Sequence, residues 1–331
     1  LKDCSLLNEG EKIESLSLRK LRRRSFVSVQ NRPIIDLVSS ANTAGSEITS
    51  LKKEFQEKIS SHLKQKRDYF WQRNIRNAAV IVLDIGSGKI LSAVSNFDNQ
   101  LAKHEQQINA LSARRPSGST LKPFLFARSL EKGLITPKTL LEDIPTSFTG
   151  WSPQNFDENF RGLVNADLAL TESLNIPFVK LLQKYGLSNF LHSFYQLPFG
   201  QAFFDQSHGL GSIIGGIDLS PLELASLYLA LANNGLFGEI SILETDQSSH
   251  RFQWISAQSA LSVAEILKGH SQSQNFSQMI RDISWKTGTS HSRKDAWSIG
   301  FDKNHLVLVW LGNLKHESSP HLIGSLSAAP L

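Results

Sequence analysis

Arg114–Phe124 reads RRPSGSTLKPF, with Ser119 and Lys122 three residues apart. On a helix, residues i and i+3 share one face about a turn apart, so a hydroxyl and an amine would point the same way. Serine becomes a nucleophile beside a base, and a lysine is that base once its pKa is pulled down. Gly118 leaves room for a close-approaching ligand. Pro123 is wrong for a helix interior but tolerated in the first turn, whose N–H groups have no intrahelical partner. The helix is therefore expected to start near Ser119, with the hydroxyl at the positive end of its dipole. Alone, the stretch reads just as well as an N-cap serine beside a solvated lysine. The rest of the chain has to choose.

Two further short patterns make the choice. Ser173-Leu174-Asn175 lies in a break between two helical stretches, and Lys286-Thr287-Gly288-Thr289 lies on an expected strand. Each residue then has a task. Ser119 attacks a carbonyl and Lys122 takes its proton. Lys122 must be neutral near pH 7, and burial beside a second cation, Lys286, would lower its pKa. Ser173 can pass a proton to a leaving amine, and Asn175 can hold Lys122 and a substrate carbonyl. Lys286, Thr287 and Thr289 can bind a carboxylate by charge and hydroxyls. Gly288 is expected to keep the strand edge clear for an extended peptide. The backbone N–H groups of Ser119 and Thr289 are the candidate oxyanion hole.

Around these motifs the elements alternate in blocks. AAVIVLDI at 78–85 and KILSAVSN at 89–96 flank Gly86-Ser87-Gly88, a hairpin signal. The same GSGK lacks the residues of a phosphate loop, having Leu83 and Ile90 where glycine and a hydroxyl are required. Leu51, Phe55, Ile59 and Leu63 recur every four residues and predict a helix over 51–71. Residues 165–185 read as two short helices interrupted at Ser173–Pro177. SPLELASLYLALA at 220–232 reads as a buried helix closed by Asn-Asn-Gly, and 257–268 as an amphipathic one. GLGSIIGG at 209–216 follows no strand, so it is not a dinucleotide fingerprint. Strands are expected near 283–290, 295–302 and 305–312. Two strands, a helical block and three more strands imply an α+β plan with an antiparallel sheet completed late in the chain.

The 331 residues are 40% hydrophobic and 20% charged, which is globular composition. Residues 1–76 hold 16 Lys+Arg against 9 Asp+Glu, and the remainder is slightly acidic. A basic N-terminal quarter suits an anionic surface, but no nucleic-acid-binding signature accompanies it, so nucleic acid is not an expected partner. The one cysteine, Cys4, allows no intrachain disulfide. Leu1-Lys2-Asp3-Cys4 has charged residues where a lipoprotein cleavage site needs small ones. No apolar run reaches the 18 residues of a membrane span. The chain starts at Leu and reads as a piece of a longer protein, whose signal or anchor would lie upstream. Residues 1–48 are expected to be a linker or the tail of an upstream module, and 49–331 the catalytic domain. The scattered histidines, His316 and His321 included, make no ligand set, and no cofactor or metal is expected.

With the three motifs in this order, the chain resembles the transpeptidase domain of the penicillin-binding proteins, of the bifunctional class A type and its 1C branch. The resemblance extends to NAAVIVLDIGSGKILSAV at 77–94, RRPSGSTLKPFLFARSLEKGLITPKTLLEDIP at 114–145, SPQNFDENFRGLVNADLALTESLNIPFVKLL at 152–182, LELASLYLALANNG at 222–235 and KTGTSHSRKDAWSIGF at 286–301. In the family's signature the middle motif is S-D-N, and here Leu174 stands at its centre. The resemblance implies a five-stranded antiparallel sheet flanked by helices, with the serine opening a central helix. It also implies a periplasmic enzyme that cross-links peptidoglycan stem peptides through a serine acyl-enzyme and is acylated by β-lactam antibiotics. By motif match, Ser119, Lys122, Ser173, Asn175, Lys286, Thr287 and Thr289 carry the family's roles. An upstream glycosyltransferase module and membrane anchor belong to the same expectation. Three other readings share the motifs: a D,D-carboxypeptidase, a serine β-lactamase and a non-turnover β-lactam sensor. Class A β-lactamases deacylate with a Glu well downstream of the middle motif, and residues 173–222 contain none.

Overall fold

A computed structural model describes residues 12–14, 46–97, 109–148, 150–204, 208–244, 251–273 and 282–331. Thirteen strands lie among them: β1 Lys12–Glu14, β2 Ser46–Ile48, β3 Asn77–Asp84, β4 Ile90–Ser95, β5 Arg115–Pro116, β6 Leu140–Asp143, β7 Gly162–Asn165, β8 Asp218–Leu219, β9 Leu236–Phe237, β10 Phe252–Gln253, β11 Ser284–Thr289, β12 Asp295–Phe301 and β13 His305–Gly312. The helices are α1 Lys53–Trp71, α2 Lys122–Glu131, α3 Ala166–Thr171, α4 Ile176–Tyr185, α5 Leu187–His192, α6 Pro221–Ala232 and α7 Ala257–Ser273.

The expected α+β plan is realised as one five-stranded antiparallel sheet of order β11-β12-β13-β3-β4. Alternation along each strand sends two sets of side chains to two cores. Ala79, Ile81 and Leu83 of β3, Leu306, Leu308 and Trp310 of β13, and Trp297 and Ile299 of β12 face the helical body. Ala78, Val80, Ala296, Val309 and Leu311 face an outer layer made by Leu63 and Phe70 of α1 with Leu322 and Ala328 of the C-terminal segment. The β3–β4 turn closes as its sequence implies: Asp84 Oδ1 accepts from Ser87 N at 2.8 Å and Ser87 Oγ at 2.6 Å, and Gly88 supplies a positive φ of 76°.

In the helical body, α2 is buried on nearly every side, from Lys122 through Ala127 and again at Ser129. Such a helix belongs at the centre of a domain. Its neighbour α6 starts at a capping box formed by Ser220 and Glu223, and its Tyr228 hydroxyl donates to Thr120 O at 2.7 Å. The 3-10 turn Gly118–Leu121 that opens α2 is thereby tied to the core.

Two sequence expectations shift. The buried positions of α1 are Gln56, Leu63 and Phe70, not the full Leu51/Phe55/Ile59/Leu63 stripe. Gln56 accepts from Ser92 Oγ at 2.7 Å and Ala93 N at 3.0 Å and donates to Ala93 O at 3.0 Å. The helix stitches the edge strand β4 with a buried amide where a hydrophobic pattern would have put an aliphatic. The break after α3 runs from Glu172 to Asn175, and Pro177 sits in the first turn of α4, where its missing N–H costs nothing. Of the expected linker, the described parts are β1 and β2, which pair with each other. The charge run LRKLRRR at 18–24, the apolar patch PIIDLV at 33–38 and Cys4 lie outside the described residues. From Thr49 the chain joins the body, where Ser50 N donates to Ile242 O at 2.9 Å. No helix among the described residues is long and apolar enough to cross a membrane.

One ionic contact ties the entry to the 3-10 turn to the sheet. Arg115 Nε bonds Asp295 Oδ1 at 2.7 Å, with the two side chains 3% and 0% exposed. Trp310 Nε1 and Ser290 Oγ complete the carboxylate at 3.1 and 2.9 Å. Removing one partner of such a pair strands a buried charge, at about 3–5 kcal/mol. Asp295→Ala is expected to lower unfolding stability by about that amount, read from the urea midpoint; a loss under about 1 kcal/mol would mean that solvent reaches Arg115.

Candidate active site

The nucleophile turn is held by close backbone approach. Gly118 has φ 59°, and a Cβ there would lie 2.8 Å from Thr289 N and 2.9 Å from Thr289 O. A Cβ on Gly288 would lie 2.7 Å from Thr120 Cγ2 and 2.8 Å from Ser117 O. A Cβ on Gly215 would lie 3.1 Å from Gly118 Cα. The turn is thus wedged between β11 and the 209–216 loop. This corrects two expectations. The room at Gly118 is taken by the backbone of Thr289 and not by a ligand, and the bare side of Gly288 faces the Ser119 turn and not the strand edge. Both glycines let a helix start and a strand touch. GLGSIIGG acquires the same use.

The structure brings Lys122, Ser173, Asn175 and Lys286 into direct contact. Lys122 is fully buried, and its Nζ donates to Ser173 O at 2.6 Å and Asn175 Oδ1 at 2.7 Å. Ser173 has a left-handed φ of 58° in the break between α3 and α4. Its carbonyl goes to Lys122, while its hydroxyl accepts from Lys286 Nζ at 2.7 Å. Lys286 is 3% exposed and also donates to Thr287 O at 2.8 Å. Ser119, one turn before Lys122, is partly exposed.

Electrostatics follow from burial. The Lys122 amine is held well below the ordinary lysine range, first by burial and then by the neighbouring Lys286, with Asp143 opposing. Lys286 is lowered to about 7 by burial. A plainly charged Lys286 was the expectation. Its hydrogen-bond partners are a hydroxyl and a carbonyl, which do not repay the lost hydration, so it titrates near neutrality. A neutral Lys122 has two N–H donors, and both are used; its lone pair is left for a proton.

On β11, Thr287 and Thr289 share the face opposite Lys286 and Gly288. Thr289 Oγ1 accepts from Gly324 N at 3.0 Å. Ser290 N donates across to Asp295 O at 3.0 Å, so by antiparallel alternation the Thr289 N–H turns to the open edge of β11.

Sequence reasoning missed the layer behind Asn175. Asn175 Nδ2 donates to Gln154 O at 2.7 Å, and Asn175 N donates to Asn155 Oδ1 at 2.7 Å. Asn155 Nδ2 in turn reaches Asp143 Oδ1 at 2.8 Å and Oδ2 at 3.0 Å. The signal lay in SPQNFDENF, whose amides and acids look like an ordinary solvated loop until α4 packs beside them.

The family model described as the penicillin binding protein transpeptidase domain matches residues 78–326. This chain belongs to the penicillin-binding protein transpeptidase family. It is 30% identical over 261 residues to penicillin-binding protein 1C of Escherichia coli (strain K12), covering 76% of this chain and 33% of that protein. It is 27% identical over 274 residues to penicillin-binding protein 1A of Neisseria cinerea, covering 75% of this chain and 34% of that protein. The chain therefore spans about a third of the length of these class A penicillin-binding proteins. Among solved structures it is similar to the PonA1 protein from Mycobacterium tuberculosis in complex with penicillin V. The TM-score is 0.68 at 20% identity, over 84% of this chain and 81% of that one. Penicillin-binding protein 1A from Haemophilus influenzae gives 0.65 at 23% identity, over 77% and 46%. At these identities the likeness is one of fold, and it agrees with the five-stranded sheet.

Two outcomes test the penicillin-binding protein site. Gly288→Ala is expected to push the Ser119 turn off β11 and slow β-lactam acylation about a hundredfold with the thermal midpoint only modestly lowered; an unchanged rate would mean that the contact yields freely. The second outcome concerns pH. In the folded chain Lys286 binds its proton less well than in the unfolded chain, so its stabilising contribution is present above the ordinary lysine range and lost as pH falls toward about 7. Stability should rise between about pH 7 and 10. Lys286→Met is expected to flatten that rise by up to roughly 1.4 kcal/mol per pH unit, measured by urea unfolding across the range.

Proposed function

We propose that the domain is a peptidoglycan D,D-transpeptidase working through an acyl-enzyme on Ser119. The observation that carries this reading is the buried Lys122 amine, with both its N–H groups committed to Ser173 O and Asn175 Oδ1. A neutral amine so held is a base one turn from a partly exposed serine.

The steps follow from that assignment. Ser119 Oγ bonds to the carbonyl carbon of the penultimate D-Ala of a stem peptide while its proton passes to Lys122. The carbonyl oxygen gains charge facing the Ser119 and Thr289 N–H groups. The C–N bond to the last D-Ala then breaks, and its nitrogen receives a proton through Ser173, whose hydroxyl is bonded to Lys286. An amine of a second stem peptide attacks the ester, losing a proton to the same base, and Ser119 is regenerated as the cross-link forms. The terminal carboxylate lies against Lys286, Thr287 and Thr289. Because Thr289 Oγ1 already accepts from Gly324 N, its own hydrogen is the one offered to the carboxylate. A β-lactam enters by the same first step, but its ring nitrogen stays tethered, so no leaving group clears the site. The parent protein in this reading is membrane-anchored, carries a glycosyltransferase module upstream and faces the periplasm.

Intact mass after incubation with a penicillin tests the assignment. One adduct is expected on the wild type and none on Ser119→Ala. Lys122→Ala should acylate slower by about a hundredfold to ten-thousandfold, the ordinary worth of a positioned base. An undiminished rate in Lys122→Ala would overturn the base assignment.

A further inference from the structure

The pocket behind Asn175 holds a buried charge that the acyl-transfer steps above do not use. Asp143, at the end of β6, is 0% exposed. Its Oδ1 accepts from Asn155 Nδ2 at 2.8 Å, and its Oδ2 accepts from the same nitrogen at 3.0 Å and from Arg161 N at 2.9 Å. These donors are an amide and a backbone N–H; no cation pairs with it among the described residues. The Arg161 guanidinium turns away to Asp157 and Glu172, at 2.7 and 3.1 Å. A buried carboxylate left without a counter-ion is costly, and a fold keeps one where its charge acts on something.

We propose that Asp143 is a positioning residue for the acyl transfer: through Asn155 and Asn175 it fixes where the Lys122 amine sits, and it keeps a carboxylate behind that amine, at the far end of the same hydrogen-bonded chain. The proposal rests on Lys122 being the base.

The connection is continuous. Asp143 orients the Asn155 amide by accepting one of its N–H donors, which turns Asn155 Oδ1 to Asn175 N at 2.7 Å. Gln154 O takes Asn175 Nδ2 at 2.7 Å, so Asn175 can present only its oxygen to Lys122. Asn155 is 4% exposed and also donates to Asn159 O at 2.8 Å, so it has little freedom to turn. Asp143 and Asn155 thus hold the Asn175 backbone, and the Gln154 carbonyl holds its side chain.

The charges around Lys122 make the second half of the argument. From β11 comes Lys286, and from β6 comes Asp143. The Phe178 ring of α4 lies 5.6 Å away. Glu142, also on β6, pairs with Lys180 of α4 at 2.7 Å and is largely exposed. Glu131, at the far end of α2, pairs with Arg128 at 2.8 Å. Asp143 is therefore the carboxylate set against the Lys286 charge at the amine.

The test is the pH dependence of β-lactam acylation in the whole chain, followed by intact mass, for wild type, Asp143→Asn and Asn155→Ala. The rate rises with pH as the base loses its proton. Asp143→Asn removes the charge that favours protonated Lys122, so the acidic limb should move to lower pH. It also turns one former acceptor into a donor against Asn155 or Arg161 N, so the plateau should fall roughly tenfold to a hundredfold. A role confined to packing would lower the melting temperature and leave the limb in place. Asn155→Ala cuts the link, so its plateau should fall roughly tenfold or more; it carries the test if Asp143→Asn does not fold. A limb that stays or moves to higher pH in a folded Asp143→Asn overturns the proposal alone, as does an undiminished plateau in Asn155→Ala. A wild type that takes no adduct at Ser119 overturns the acyl-enzyme reading and this proposal with it.

Discussion

Two lysines buried within one hydrogen-bonded cluster set the terms for the rest of this structure. Water would hydrate both ammonium groups, and the fold removes that water: Lys122 is fully buried and Lys286 nearly so. Ser173 stands between them, giving its carbonyl to one amine and its hydroxyl to the other. Desolvation on this scale disfavours charge by several kcal/mol per ion, so the pocket keeps at least one amine neutral. The hydrophobic bulk of α2 and α6 and the sheet face carrying Trp297 and Trp310 share one core, and two glycines bring the Ser119 turn onto β11. The site is a defect in stability terms, held in place by everything around it.

The parts of the fold that were legible in the sequence were those governed by one-dimensional pattern. The β-rich run AAVIVLDI and the strand expected at 305–312 became neighbours in the sheet, and Gly86-Ser87-Gly88 marked the turn from β3 into β4. SPLELASLYLALA at 220–232 became the helix α6, Pro221–Ala232. The three motifs named the cluster because each carries its residues within three or four positions. What was not legible depends on contacts between distant segments. Gly118 and Gly288 are far apart in sequence, and neither declares that the other is the reason for it. Gln56 looks polar and therefore exposed until β4 supplies its partners. Asp143 and Asn155 read as a surface loop because nothing local distinguishes a buried carboxylate from a solvated one. The near-neutral Lys286 was missed for a related reason: sequence shows which cations exist but not which anions fail to reach them.

The family relationship and the physical reading support one another at different grain. Similarity across residues 78–326 fixes the fold and the class of domain. It does not say why Thr289 carries a bond from Gly324, or why the 209–216 loop ends in two glycines. Those are local solutions to one requirement: strand β11, an edge strand with one side open, is held from both faces. The C-terminal segment grips its back through Gly324 N and the turn at Ser119 grips its front.

The pairing of β13 with β3 carries a consequence for the order of events in folding. His305 meets Asp84 and Gly312 meets Asn77 across more than two hundred residues, so the sheet closes only after a long loop is drawn together. Ser119 and Lys122 emerge from the ribosome well before Lys286 does. Until β13 reaches β3 and carries β12 and β11 into place, the cluster around Lys122 lacks Lys286 and the turn at Ser119 lacks the Thr289 backbone. The pocket is therefore completed by the same late step that completes the sheet.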